Sequence, residues 1–230
     1  MDNLLTRPLF ITFEGIENSG KGTQLLNFIE FLIDNDNDVL GDKYSGFVYH
    51  REPTKKTPSG IAFNEKLANH EEMTAEQATD YVIRDRLEHQ KIIEHEIGHN
   101  GFFYICSRYA DSTGAYQVSQ GADWKDIYDR HHFKEPGGTR MPDITIYLDI
   151  SVEESLRRSK KQVKQDLFDT KKDLLKKLED AYAFWFERTS ERHERIIIRV
   201  NGEQSPEKVA EEMKRKVAKA IRDNHERLKP

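Results

Sequence analysis

One cysteine, Cys106, serves the whole 230-residue chain. That scarcity excludes an internal disulfide and a four-cysteine zinc site, and it fits a reducing, cytoplasmic setting. No uninterrupted apolar run approaches the ~20 residues that span a bilayer. The first residues, "MDNLLTRPLFITFEG", lack the basic start and long apolar stretch of a secretion signal. A basic excess is missing too: 36 Lys and Arg stand against 41 Asp and Glu, a formal net of −5. Duplex binding through a basic surface is therefore not expected, because phosphate neutralisation needs clustered cations. Internal repeats, low-complexity blocks and obvious linkers are absent. What is there is a polar chain, 33% charged and 36% hydrophobic, of a length that suits one α/β domain over residues 1–230.

Five short runs read as strands: "LFITFE" (Leu9–Glu14), "FVYHR" (Phe47–Arg51), "FFYIC" (Phe102–Cys106), "ITIYLDI" (Ile144–Ile150) and "RIIIRV" (Arg195–Val200). β-branched and aromatic residues dominate them with little alternation, which suits strands covered on both faces. Helical patterns lie between them. Thr74 with Gln77, and Ser151 with Glu154, have capping-box spacing, and Ser205-Pro206 opens the last helix. The C-terminal "AIRDNHERLKP" reads as its fraying end, and no role is assigned to the polar segment Asp34–Gly46. Strand–helix alternation from end to end predicts a parallel sheet with helices on both faces, with ligands at the carboxyl ends of the strands.

The first strand runs into "FEGIENSGKGT" and then the helix "TQLLNFIEFLI". Gly15, four residues, Gly20 and Lys21 have the spacing of a phosphate-binding loop. Its backbone N–H groups converge on phosphate oxygens, the helix dipole points at them, and the lysine adds a charge. The candidate ATP-binding residues are Gly15, Ile16, Glu17, Asn18, Ser19, Gly20, Lys21, Gly22 and Thr23. Gly22 stands where a magnesium-holding Ser or Thr is usual, so Thr23 supplies the hydroxyl, as in the similar Gly-Lys-Gly-Thr loop of adenylate kinases. Mg2+ is then held mainly by water and by the nucleotide.

Further segments follow in order: "HREPT" (His50–Thr54), "VIRDRLEH" (Val82–His89), "YICSRYADSTGAYQ" (Tyr104–Gln117) and "PDITIYLDISVEESLRR" (Pro142–Arg158). Together with the loop they resemble the thymidylate kinase family of nucleoside monophosphate kinases along nearly the whole chain. The resemblance implies a P-loop NTPase type three-layer sandwich, with a five-stranded parallel sheet and helices on both faces. It implies ATP as phosphoryl donor, Mg2+ as cofactor, a deoxynucleoside monophosphate as acceptor, with dTMP foremost, and a homodimer packed through helices. Neither nucleic acid nor membrane is an expected partner.

Aligning two polyanions calls for convergent cations and not for a covalent nucleophile. The resemblance gives Arg51 and Arg108 the acceptor phosphate, Arg86 the base and Glu17 the acceptor sugar or phosphate. Val82, Ser112, Tyr116 and Gln117 join them in the acceptor pocket. A lid at about 155–170 carries Arg157, Arg158, Lys160, Lys161 and Lys164. Because the loop has Asn18 and no arginine, Arg158 and Lys161 are the catalytic candidates there, beside Lys21 and Arg108. The plain alternative is a solvated helical face.

Three features depart from the family pattern. Ser107 replaces an aspartate, which with Gly22 removes two magnesium-positioning groups and leaves Glu14 or Glu17 to act through water. Val82, beside Tyr81, replaces a phenylalanine that stacks on thymine. "HHFKEPGGTRMPD" (His131–Asp143) is long and glycine-rich before the fourth strand and has no assigned role. Two rival readings stay open. One is a nucleotide-binding relative without catalysis. The other is a zinc hydrolase built on "HEIGH", with His95 and His99 as ligands and Glu96 activating water, although Gly98 and Asn100-Gly101 read as a helix end.

Overall fold

The computed structural model describes residues 9–33, 46–96, 102–133, 138–159, 165–193 and 195–224. Five parallel strands form one sheet: β1 (Leu9–Glu14), β2 (Gly46–Arg51), β3 (Phe102–Ser107), β4 (Ile144–Asp149) and β5 (Ile196–Asn201). Their order is β2-β3-β1-β4-β5, so β1 is central and all six of its residues are buried. The chain crosses from one side of β1 to the other between β3 and β4. That reversal makes the carboxyl end of β1 the switch point at which open α/β sheets bind ligands.

The strands bury both faces. Leu9, Ile11 and Phe13 pack with Leu25, Phe28 and Leu32 of α1 (Lys21–Ile33) and with Val209, Met213 and Val217 of α8 (Pro206–Asp223). On the other face Phe10, Tyr104 and Cys106 meet Ile93 of α3 (Ala75–Glu96), next to Tyr109 and Ala110. Tyr147 packs there with Tyr182, Trp185 and Phe186 of α7 (Gln165–Ser190), against α4 (Ala110–Ser119), α5 (Trp124–Arg130) and α6 (Val152–Arg158). This is the expected three-layer sandwich around a five-stranded parallel sheet.

All five expected strands form, with ends shifted by about a residue. Ile150 and Arg195 fall just outside theirs, and Ser107 joins β3. The Thr74–Gln77 capping box forms in both directions, at 3.1 and 3.0 Å. Ser151 makes only half of its box. Its Oγ accepts from Glu154 N at 3.2 Å, but the Glu154 carboxylate is taken by Arg157 and Arg158. Glu203, arriving from the β5–α8 turn, accepts the Ser151 N–H instead at 2.9 Å. Helix α2 (Pro58–Ala68) has the same opening as α8: Thr57 caps Gly60 N, and Pro58 fills the first turn, where no hydrogen bond is lost. Segment 34–45 and the last six residues lie outside the described residues.

Candidate active site

The phosphate-type loop joins β1 to α1. Gly15 has φ +142°, and a Cβ there would lie 2.7 Å from both the Leu148 carbonyl oxygen and Ser19 Oγ, so only glycine fits. Asn18 takes a left-handed φ of +56° and donates from Nδ2 to the Ser155 carbonyl at 3.1 Å. Ser155 Oγ returns a bond to the Glu17 carbonyl at 2.7 Å, which fastens the loop to α6. Lys21 curls back over the loop and donates to the Gly15 and Ile16 carbonyls at 2.9 and 2.7 Å and to Ser19 Oγ at 3.1 Å. Burial, with the Arg108 guanidinium next in weight, pulls the Lys21 amine down to about 7, against the opposing charges of Glu14 and Glu17. The Ile16 side chain is core, so this residue offers the loop its backbone alone. Gly22 has open space around the Cβ it lacks, and Thr23 is exposed beside it.

On one side of the loop lies a cavity of about 360 Å³ between α2, α3 and α4. Six of the eight acceptor residues expected from sequence line it: Val82, Arg86, Arg108, Ser112, Tyr116 and Gln117. Glu17 and Arg51 do not. Glu17 is held by Lys171 at 3.0 Å, and Arg51 ends β2 exposed, although both charges are felt by Lys21. Arg108 follows β3 with φ +63°, its N–H bonded to the Phe13 carbonyl at 3.0 Å. A non-glycine residue in this conformation is strained, and such residues concentrate at functional sites. Its guanidinium lies over the Tyr116 ring at 5.5 Å.

Arg86 is 1% exposed and tightly held. Its Nε and Nη2 meet Glu52 Oε2 at 2.8 and 2.7 Å, Nη2 also reaches Thr113 Oγ1 at 3.0 Å, and Nη1 meets His131 Nε2 at 2.7 Å. Among the described residues, four of the five guanidinium N–H groups are thus engaged, and one on Nη1 is not. Glu52 Oε1 is bonded to His89 Nδ1 at 3.0 Å. The neighbouring Asp85 ties down the preceding loop through Thr54 N at 2.7 Å, Thr54 Oγ1 at 2.8 Å and Thr57 Oγ1.

Glu14 is buried behind the lining residues Tyr109 and Ser112 and already has donors to accept from. It accepts from Tyr109 N at 2.7 Å, Ser112 Oγ at 2.5 Å and Tyr182 Oη at 3.0 Å. Burial first, then the Asp111 charge, raise its carboxyl to about 7. Of the two carboxylates expected to stand in at a magnesium site, only Glu17 remains accessible.

On the other side of the loop, a cavity of about 590 Å³ is lined by Asn18, Ser19, Gly20, Thr23 and Gln24, by Arg157 and Arg158, and by residues 202–206. Arg158 spans it: Nη1 reaches the Asn18 carbonyl at 3.3 Å, Nη2 the Gly202 carbonyl at 2.6 Å, and Nε Glu154 at 2.6 Å. The other lid candidate, Lys161, lies outside the described residues, as does His99 of the zinc reading. His95 is exposed on the last turn of α3, and no cluster of three metal-ligating side chains occurs among the described residues.

A family model described as "Thymidylate kinase" matches residues 13–213. The chain belongs to the thymidylate kinase family. It is 34% identical over 173 residues to a probable thymidylate kinase of Methanococcus aeolicus, covering 75% of this chain and 76% of that one. It is 35% identical over 167 residues to a thymidylate kinase of Wolbachia pipientis, covering 70% and 77%. With a thymidylate kinase of Maridesulfovibrio salexigens it shares 27% over 229 residues, 93% and 97% of the two chains.

Against the family pattern, sequence reasoning missed Phe63, Glu52 and His131. Phe63 is buried on the wall of the cavity between α2, α3 and α4, its ring 6.2 Å from Tyr81, so α2 brings an aromatic side to the cavity that Val82 lacks. The Thr57-Pro58 helix start was the available signal for it. Glu52 stands inside the "HREPT" segment, where a role was expected of Arg51 alone, and His131 had no signal, because it meets Arg86 only through the fold.

Proposed function

We propose that this chain transfers the γ-phosphoryl group of ATP to dTMP, giving ADP and dTDP. The observation that carries the acceptor reading is a pair of unused polar groups. Among the described residues, Gln117 Oε1 is buried on the acceptor-cavity wall without a hydrogen-bond partner, and Arg86 keeps one N–H unengaged there. Thymine answers both, because its N3–H donates and its O4 accepts. Cytosine presents an amino donor where thymine has O4, which leaves the arginine unanswered. The 590 Å³ cavity suits the donor nucleoside, with Arg158 beside it and the triphosphate laid over residues 15–23.

Catalysis on this reading is alignment and charge neutralisation. Lys21 sits between the donor phosphates and the Arg108 side of the acceptor, and Arg51 and Glu17 lie near enough to bias its charge. The exposed Thr23 hydroxyl and the accessible Glu17 carboxylate are the groups that would hold Mg2+. This set fits an ion that keeps several of its waters. Bound there with ATP, Mg2+ would supply charge neutralisation for the donor phosphates. We further propose one kinase domain over residues 1–230, acting as a cytoplasmic homodimer. The family likeness and the single buried cysteine support this. No described helix is long and apolar enough to cross a membrane.

A coupled assay over dTMP, dUMP, dCMP, UMP and AMP tests the acceptor. Turnover should be fastest with dTMP, and a preference for dCMP or AMP would overturn the assignment. Phe63→Ala should raise KM for dTMP by about tenfold, the lower end of aromatic–base stacking, with KM for ATP unchanged. Steady-state kinetics check this directly.

The depressed Lys21 amine adds a pH signature. A polyphosphate placed against it restores the ordinary pKa, so ATP binding takes up a proton in the window above about 7. Affinity for ATP should therefore fall as pH rises from 7.5 to 9, with a slope of up to about one proton. Calorimetry in two buffers of different ionisation enthalpy measures the uptake, and Lys21→Met should abolish it.

A further inference from the structure

The glycine-rich excursion 131–143 has no assigned role, yet its first residue reaches the acceptor site. His131 caps α5, is fully buried, and stacks on Phe133 with centroids 4.9 Å apart and planes 1° from parallel. Its Nδ1 lies 2.6 Å from the Ile127 carbonyl oxygen. A carbonyl only accepts, so Nδ1 carries the proton and Nε2 presents a lone pair. That lone pair faces Arg86 Nη1 at 2.7 Å. Arginine only donates, so the contact requires a neutral histidine. Burial, followed by the Arg86 charge, holds the ring well below the ordinary histidine range, in agreement with this tautomer. Thr139 N returns to the His131 carbonyl at 2.9 Å, and Arg140 N reaches Gln90 at 3.3 Å, so the far end of the excursion is fastened as well.

The other Arg86 contacts act elsewhere on the guanidinium. Glu52 and Thr113 hold Nε and Nη2, and the Tyr109 ring lies 4.8 Å away. At Nη1 the protein contact is His131. We propose that His131 is a positioning residue for acceptor recognition: it accepts one Nη1 hydrogen of Arg86 and thereby aims the other at the nucleobase carbonyl. This inference rests on the dTMP reading given above.

The test compares His131→Phe, which keeps a ring against Phe133 but offers no acceptor, with His131→Gln, which restores one. His131→Phe should raise KM for dTMP about tenfold or more, the scale of a lost hydrogen bond to a charged group. Its kcat at saturating dTMP and its KM for ATP should stay within about twofold, and its preference for dTMP over dCMP should fall by the same factor as KM rises. His131→Gln should recover most of the loss. Four results would overturn the proposal: an unchanged KM for dTMP in His131→Phe, an equal rise in KM for ATP, no recovery in His131→Gln, or failure of both variants to fold. Wild-type protein without dTMP turnover would bring down the substrate reading and this inference together. Wild-type turnover with an unaffected His131→Phe would bring down this inference alone.

Discussion

Lys21→Ala should lower kcat for dTMP phosphorylation by about 10²- to 10³-fold, the loss found when one preorganised donor to a developing charge is removed. Among the described residues, the partners of Lys21 Nζ are in the loop, the Gly15 and Ile16 carbonyls and Ser19 Oγ. A phosphate oxygen competes for that same amine. Its pKa near 7 reports desolvation that the protein alone does not repay, so the alanine variant should keep its thermal midpoint or gain slightly. Single-turnover kinetics and a thermal melt measure the two quantities. A kcat within tenfold of wild type would remove Lys21 from the chemistry, and a collapsed melt would make it a fold residue.

Glu52→Ala should destabilise the fold more than any surface change, because it strips one partner from a buried pair. Its two oxygens hold Arg86 and His89, and all three side chains are at most 2% exposed. Breaking such a pair costs about 3–5 kcal/mol. For a chain of this length the thermal midpoint should fall by roughly 6–20 °C. The dTMP affinity of the protein that still folds should fall as well, since Arg86 loses the anchor at Nε and Nη2. Calorimetric melts and dTMP titration check both. A midpoint within 3 °C of wild type would show that the Arg86 charge finds another partner, and the clamp described here would be wrong.

These two residues also show what the sequence makes legible. Lys21 belongs to a local pattern: a strand rich in β-branched residues, glycines at fixed offsets, then a helix. Chemistry and spacing coincide there, and the same holds for the five strands and the Thr74 cap. Glu52 lies inside a readable motif, but its partners are 34 and 37 residues away, and His131 is 45 residues from Arg86. Only the packing of α3 and α5 against the sheet brings them together. Val82 raises a similar issue. Read on its own helix it removes the base platform, whereas the fold supplies Phe63 from α2 on the same wall. Ser151 has the spacing of a capping box, and a glutamate 52 residues away occupies its N–H. Glu14 and Glu17 look interchangeable as carboxylates. Burial commits the first to three donors and leaves the second at the surface.

On the proposed reading, the cavities on either side of residues 15–21 hold donor and acceptor for one phosphoryl transfer. Chromatographic counting of all four nucleotides, with wild-type protein, ATP, Mg2+ and dTMP, tests it most directly. The expected result is one dTDP formed for each ADP released, with neither formed when dTMP is left out. Saturable ATP binding with no dTDP would contradict it and would make the chain a nucleotide-binding relative that has lost the reaction.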